Sequence, residues 1–207
     1  MGKDVIVACD FDSMEKTLAF LDRFQGLGRK PFVKIGMELY YAEGPQIVRE
    51  IKKRGHKIFL DLKLHDIPNT VKKAMAVLSR LDVDICNLHA AGTVRMMEAA
   101  LEQDLWIERP MDEVVMHYAK NAKAAGLDGV VCSPLEAEKV HASCGAAFLT
   151  VTPGVRFADG DVGDQKRVMT PAEAKKIGSD YIVVGRPITA AEDPVAAYER
   201  CVREFCD

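Results

Sequence analysis

Residues 59–70 read FLDLKLHDIPNT. Leu60, Leu62 and Leu64 alternate with Asp61, Lys63 and His65, the period of two at which a strand sends side chains to opposite faces. Asp61 and Lys63 therefore share one face, backed by a leucine stripe, with Asp66 just past the strand. On a solvent face such charges are ordinary. Against an enclosed interior they are costly to desolvate, and chemistry becomes the leading explanation.

The fold decides between the two. Strand patterns recur at 4–10, 32–36, 57–63, 85–90, 129–133, 148–153 and 181–186, as short runs rich in Val and Ile. Amphipathic helical patterns fill 13–24, 43–54, 68–81, 93–102, 111–125, 135–143, 171–177 and 193–204. Pro68 and Pro171 suit first helical turns, and Gly126 and Gly178 suit helix ends. This alternation indicates parallel βαβ units. With no low-complexity tract, charge block or linker, residues 1–207 are expected to form a single domain.

Either an open doubly wound sheet or a closed barrel accepts that pattern. Asp10, Lys34, Asp61, Lys63, His89, Ser133, Arg156 and Arg186 lie at or just past the carboxyl ends of their strands. A barrel gathers its active site there, whereas an open sheet concentrates ligands at one switch point. No GxGxxG or GxxxxGK[ST] loop supports a nucleotide-binding open sheet. The expected architecture is therefore an α/β (β/α)8 TIM barrel. Only seven strand patterns are present in 207 residues, against eight strands in ~250 residues for a typical barrel. Between the helical patterns ending near Glu102 and beginning near Asp112 lies only QDLWIERPM. The fifth strand unit is thus expected to be absent from the sequence.

Composition excludes several classes. There are 28 basic and 31 acidic residues, net charge −3, so no global attraction to nucleic acid or membrane is signalled. No stretch approaches ~18 uninterrupted apolar residues. The start, MGKDVIVACDFDS, lacks the long apolar core of a secretion signal. Six cysteines show no CxxC pair and no zinc spacing; Cys9, Cys86 and Cys132 fall in apolar strand runs and read as reduced, buried thiols. The expected setting is the cytoplasm.

Two groups of residues carry chemistry. On strand two Lys34 shares a face with Phe32 and Gly36; on strand one Asp10 shares a face with Ile6 and Ala8. Together with Asp61 and Lys63 they can form an alternating carboxylate–ammonium array. At ~4 Å and an effective dielectric of ~20, each neighbouring pair interacts by about 4 kcal/mol, enough to keep the lysines charged. A fixed ammonium in a dry cavity suits stabilising or protonating a carbanion. The second group is TPGVR (152–156) and VGR (184–186), in the loops where barrels commonly seat phosphate. Glycine admits the backbone to an oxyanion and arginine binds it bidentately. The polar loop 157–167, with Gln165, suits closure over a ligand. It lacks the glutamate that a calcium loop needs at its twelfth position, which here is Thr170. His89 reads as an oriented core or mouth histidine rather than a general base, and His65 has no assigned role.

ACDF, FVKIG, DLKLHDIPNT, NLHAAG, VVCSP, TPGVR, GDQ and VGRPIT, in this order over nearly the whole chain, resemble the bacterial orotidine 5'-phosphate decarboxylase family. The resemblance implies a homodimeric barrel that converts orotidine monophosphate to UMP without metal or organic cofactor. It implies that Lys63 protonates C6, that Asp61 adjoins the substrate carboxylate, and that Lys34 completes the array. Asp66 would cross the dimer interface, with Ile67 and Thr70 beside it. Asp10 and Lys34 would contact ribose, Gln165 and Arg186 the phosphate, with Arg156, Pro153 and Gly185 in the same region. The family's fifth strand, with a hydroxyl that meets the pyrimidine, has no counterpart here. Two other readings are a magnesium-dependent lyase of open-chain sugar phosphates, and a nucleotide-binding barrel without turnover.

Overall fold

The computed structural model describes residues 2–90, 111–158 and 169–207. The expected helix over 93–102, most of the short 103–111 spacer, and Gln165 with most of its loop lie outside the described residues. Among the described residues seven strands form one parallel sheet: β1 (Asp4–Ala8), β2 (Phe32–Ile35), β3 (Ile58–Leu64), β4 (Ile85–Leu88), β5 (Gly129–Val131), β6 (Leu149–Pro153) and β7 (Tyr181–Val184). Their order is β4-β3-β2-β1-β7-β6-β5, the sequential curl of a half-barrel. All seven strands coincide with the expected ones. The earliest strand sits mid-sheet, with Ile6 opposite Phe32 on β2 and Asp4 opposite Tyr181 on β7.

Helices α1 (Met14–Asp22), α3 (Pro45–Lys53), α4 (Pro68–Leu78), α5 (Met111–Ala124), α6 (Ala137–Cys144), α7 (Pro171–Lys176) and α9 (Pro194–Phe205) occupy the expected positions. Short 3-10 turns extend α4 at Ser79–Leu81 and precede α6 at Pro134–Glu136. Two helices were not expected. These are α2 (Met37–Glu43), between Gly36 and Gly44, and α8 (Arg186–Thr189), opening at Gly185. Neither has a side-chain cap, the usual sequence cue for a start. By contrast, α9 begins where Asp193 Oδ1 accepts from the amides of Val195 (3.0 Å) and Ala196 (3.1 Å).

Alternate residues of the strands build two cores. Val5, Val7, Val33, Ile35, Ile58, Leu60, Leu62, Ile182 and Val184 face outward against helices, meeting Ile47, Val48 and Ile51 of α3 and Tyr198, Cys201 and Phe205 of α9. On the concave side Ile6, Ala8, Phe32, Phe59, Val151, Tyr181 and Val183 form a separate apolar plug. Phe32 and Tyr181 close it edge to face at 6.2 Å, a favoured aromatic geometry. Further along β1, β2 and β3, on that same side, come Asp10, Lys34 and Asp61. The plug is thus the floor on which the polar residues stand, as barrel interiors are layered.

Candidate active site

The charged face of β3 points into the concave interior. Asp61 is 9% exposed, Leu62 turns out to the helix layer, and the Lys63 ammonium reaches back to the Asp61 side. Lys63 Nζ lies 2.6 Å from Asp61 Oδ1, Lys34 Nζ lies 3.5 Å from Asp61 Oδ2, and Lys34 Nζ lies 2.8 Å from Asp10 Oδ1. The order Asp10–Lys34–Asp61–Lys63 is the alternating array expected from the sequence. The Lys34 and Asp61 side chains are each 12% exposed, and that of Lys63 46%. The Asp10 side chain is 59% exposed, so the array is closed at its centre and open at both ends, Asp10 and Lys63.

Burial alone would push the Asp61 carboxyl upward, but hydrogen bonds from Lys63 and Asn87 and the two ammonium charges outweigh it and hold Asp61 below its ordinary value. It stays a carboxylate at neutral pH. Gly36 makes room for the array: a Cβ there would stand 3.1 Å from Asp10 Oδ1 and 3.3 Å from Lys34 Nζ.

Alternation along β3 conceals an irregularity. Phe59 and Leu60 pair with Ile85 and Cys86, but the next pair is Leu64 with Leu88. Residues 61–63 therefore stand opposite the single residue Asn87, a bulge of the kind that re-aims a side chain. Lys63 takes φ +50°, a left-handed conformation that costs a non-glycine residue roughly 1–2 kcal/mol. Asn87 contributes to both sides of the bulge: its Oδ1 accepts from the Lys63 amide at 2.8 Å, and its Nδ2 donates to Asp61 Oδ1 at 2.7 Å. Sequence reasoning did not single out Asn87. The available signal was a polar residue sharing the inward parity of Ile85.

Asp66 does not join the array. It is exposed, and its Oδ1 accepts from the Ile67 amide at 2.7 Å. Ile67 is 61% exposed, and Thr70 is exposed in the first turn of α4. At the other side of the mouth Pro153 ends β6 in register with Val183 of β7, so Pro153 and Gly185 close adjacent strands. Arg186 opens α8 directly after Gly185. Arg156 is 8% exposed; its amide donates to Met169 O and its Nη1 to Val155 O. His65 and His89 stack with centroids 5.0 Å apart and planes 10° from parallel. Among the described residues no cluster of three or more His, Cys, Asp or Glu could hold a metal ion, and no helix is long and apolar enough to cross a membrane.

The family described as "Orotidine 5'-phosphate decarboxylase / HUMPS family" matches this chain over residues 3–109 and 103–201. The chain belongs to that family. It is 52% identical to the orotidine 5'-phosphate decarboxylase of Geobacillus sp. (strain WCH70), over 99% of this chain and 98% of that protein. Identity to the enzyme of that name from Streptococcus pyogenes serotype M3 is also 52%, covering 97% and 96%. The fold matches the crystal structure of orotidine 5'-phosphate decarboxylase from Lactobacillus acidophilus with a TM-score of 0.86, at 39% identity over 99% of this chain and all of that one. An uncharacterized conserved protein from Geobacillus kaustophilus matches at 0.82 and 44% identity, covering 97% and 99%. The Geobacillus WCH70 alignment runs over 235 positions, whereas this chain has 207 residues; 235 less 207 leaves at least 28 positions facing no residue here.

Proposed function

We propose that this chain decarboxylates orotidine 5'-monophosphate to UMP in pyrimidine biosynthesis, with Lys63 as the proton donor. The observation that carries the reading is the array Asp10–Lys34–Asp61–Lys63, fixed over an apolar floor, in a chain about half identical to decarboxylases of that name along nearly its whole length. The bond from C6 to the carboxylate carbon breaks, CO2 departs, and the electron pair stays on C6 in the plane of the ring. The pyrimidine cannot delocalise it, so stabilisation falls to the protein. The Lys63 ammonium offers both the charge and the proton, giving UMP. Asp61 keeps that amine in place and adjoins the departing carboxylate, and Lys34 balances Asp61.

Enzymes lower barriers by about 8–23 kcal/mol, more than one ion pair contributes. Binding of the remote phosphate is the natural supplement, because it holds the base against the array. In this reading Arg186 and Gln165 grip the phosphate, with Arg156, Pro153 and Gly185 nearby, and Asp10 and Lys34 hold the ribose. Asp66, Ile67 and Thr70, exposed beyond β3, reach a second copy of the chain in a homodimer. The reaction uses no metal or organic cofactor, and the chain is a single domain that works in the cytoplasm.

We further infer that one β/α unit, the fifth of an eight-unit barrel, is missing near residues 103–109. Support comes from the family match, whose two stretches overlap there, and from the 28 or more unmatched alignment positions. The same gap favours a second reading, in which the chain binds the nucleotide but does not turn it over. Carboxyl-labelled orotidine monophosphate separates the two. Release of labelled CO2 by the purified chain supports the decarboxylase, whereas tight UMP binding without release supports the alternative.

A further inference from the structure

We propose that Asn87 is a positioning residue for Lys63 and Asp61, acting as the lock of the β3 bulge. The ladder between β3 and β4 is broken opposite Asn87, and its carboxamide replaces the missing rungs with two bonds of different destination. A backbone N–H only donates and a carboxylate only accepts. The amide must therefore present oxygen to Lys63 and nitrogen to Asp61; the flipped orientation would face donor with donor and acceptor with acceptor. One side chain thus fixes the left-handed backbone of Lys63 and the Asp61 oxygen that receives the Lys63 amine.

Neither a hydrophobic residue nor a shorter alcohol at position 87 reproduces both contacts. Without the oxygen, the Lys63 amide loses its partner and the strained conformation loses its restraint. Without the nitrogen, Asp61 Oδ1 retains only the mobile amine. The groups around Asp61 are then Lys63 on its own strand, Lys34 on β2 with Asp10 behind it, and Asn87 on β4; the stacked His65 and His89 lie past the carboxyl ends of β3 and β4. The inference rests on the decarboxylase reading for its kinetic readout only.

The test uses Asn87→Ala and Asn87→Asp, each checked for folding by circular dichroism. A displacement near 1 Å at a reacting group costs ~100-fold, so Asn87→Ala is expected to lower kcat by on the order of 10- to 100-fold while UMP affinity changes less than about threefold. In Asn87→Asp the carboxyl, once protonated, presents an acceptor and a donor as the amide does. Its activity is expected to recover as pH falls, a rise the parent lacks. Unchanged kcat in Asn87→Ala overturns the proposal. So does a parallel loss of kcat and UMP affinity with no acid recovery in Asn87→Asp, the signature of general loosening. If the parent itself releases no CO2, the decarboxylase reading fails separately. The lock is then judged by exchange of the Lys63 amide hydrogen: faster exchange in Asn87→Ala supports it, and an unchanged rate overturns it.

Discussion

Gly36 faces Asp10 with no side chain between them, and a Cβ added there would lie 3.1 Å from the Asp10 carboxylate. The backbone of Gly36 is extended, with φ −87°, so alanine meets no conformational barrier. Its methyl would press on the two groups that pair across β1 and β2, Asp10 and Lys34. Gly36→Ala is expected to lower kcat/KM by on the order of tenfold, corresponding to ~1.4 kcal/mol, with a Tm within a few degrees of the parent. Steady-state kinetics beside thermal unfolding checks this.

Lys63 sets chemistry against backbone comfort. Lys63→Ala is expected to lower single-turnover decarboxylation by at least 10²- to 10⁴-fold, the range for losing a positioned proton donor, with the fold retained. Unchanged single-turnover rates would reject the assigned role. Lys63→Gly also lacks the amine but accepts φ +50° without strain. It is expected to be about 0.5–1 kcal/mol more stable than Lys63→Ala, measured by urea unfolding.

The depressed Asp61 carboxyl links stability to pH. Its folded value lies below the unfolded one, so the folded state gains from Asp61 at pH above the usual carboxylate value of ~4. That gain disappears as pH falls through the folded value. Between pH 7 and pH 3 the parent is expected to lose more unfolding free energy than Asp61→Asn, measured by denaturant titration at each pH.

Arg186 opens a helix of four residues beside the ends of β6 and β7. Arg186→Ala is expected to weaken UMP binding by 10-fold or more, since charge-assisted hydrogen bonds contribute ~1.5–3 kcal/mol each, and to leave uridine binding nearly unchanged. Equal losses for both ligands would count against a phosphate contact.

Burial pushes the Cys86 thiol up to about 11 and those of Cys132 and Cys201 up to about 12. At pH 8 they are almost wholly in the unreactive thiol form. Cys201 is buried and Cys86 and Cys132 partly so; an aromatic disulfide reagent is therefore expected to modify Cys201 only on unfolding and the other two more slowly than a free thiol, with absorbance released in full on adding denaturant.

The strands were legible because each is a short β-branched run that must be buried on both faces, which leaves little room for another assignment. The array was legible because strand parity is a rule of covalent geometry, and it placed Asp10, Lys34, Asp61 and Lys63 on one side. Parity carries no information about register between strands, so the bulge opposite Asn87 and the left-handed Lys63 were invisible. A lysine is also not the residue that announces a positive φ. The helix Met37–Glu43 escaped notice for a related reason: both its ends are glycine, which marks a break without saying what begins there.

The central place of β1 has a consequence for synthesis. Its edge toward β7 is covered only when Tyr181–Val184 has left the ribosome, 181 less 4 or 177 residues later, or roughly 9–35 s at elongation speeds of ~5–20 residues per second. Throughout that interval the first half of the protein carries an open, apolar strand edge of the sort that pairs with other chains. Nascent chains halted before residue 181 are therefore the species most exposed to aggregation, and the ones on which a chaperone has the most to cover.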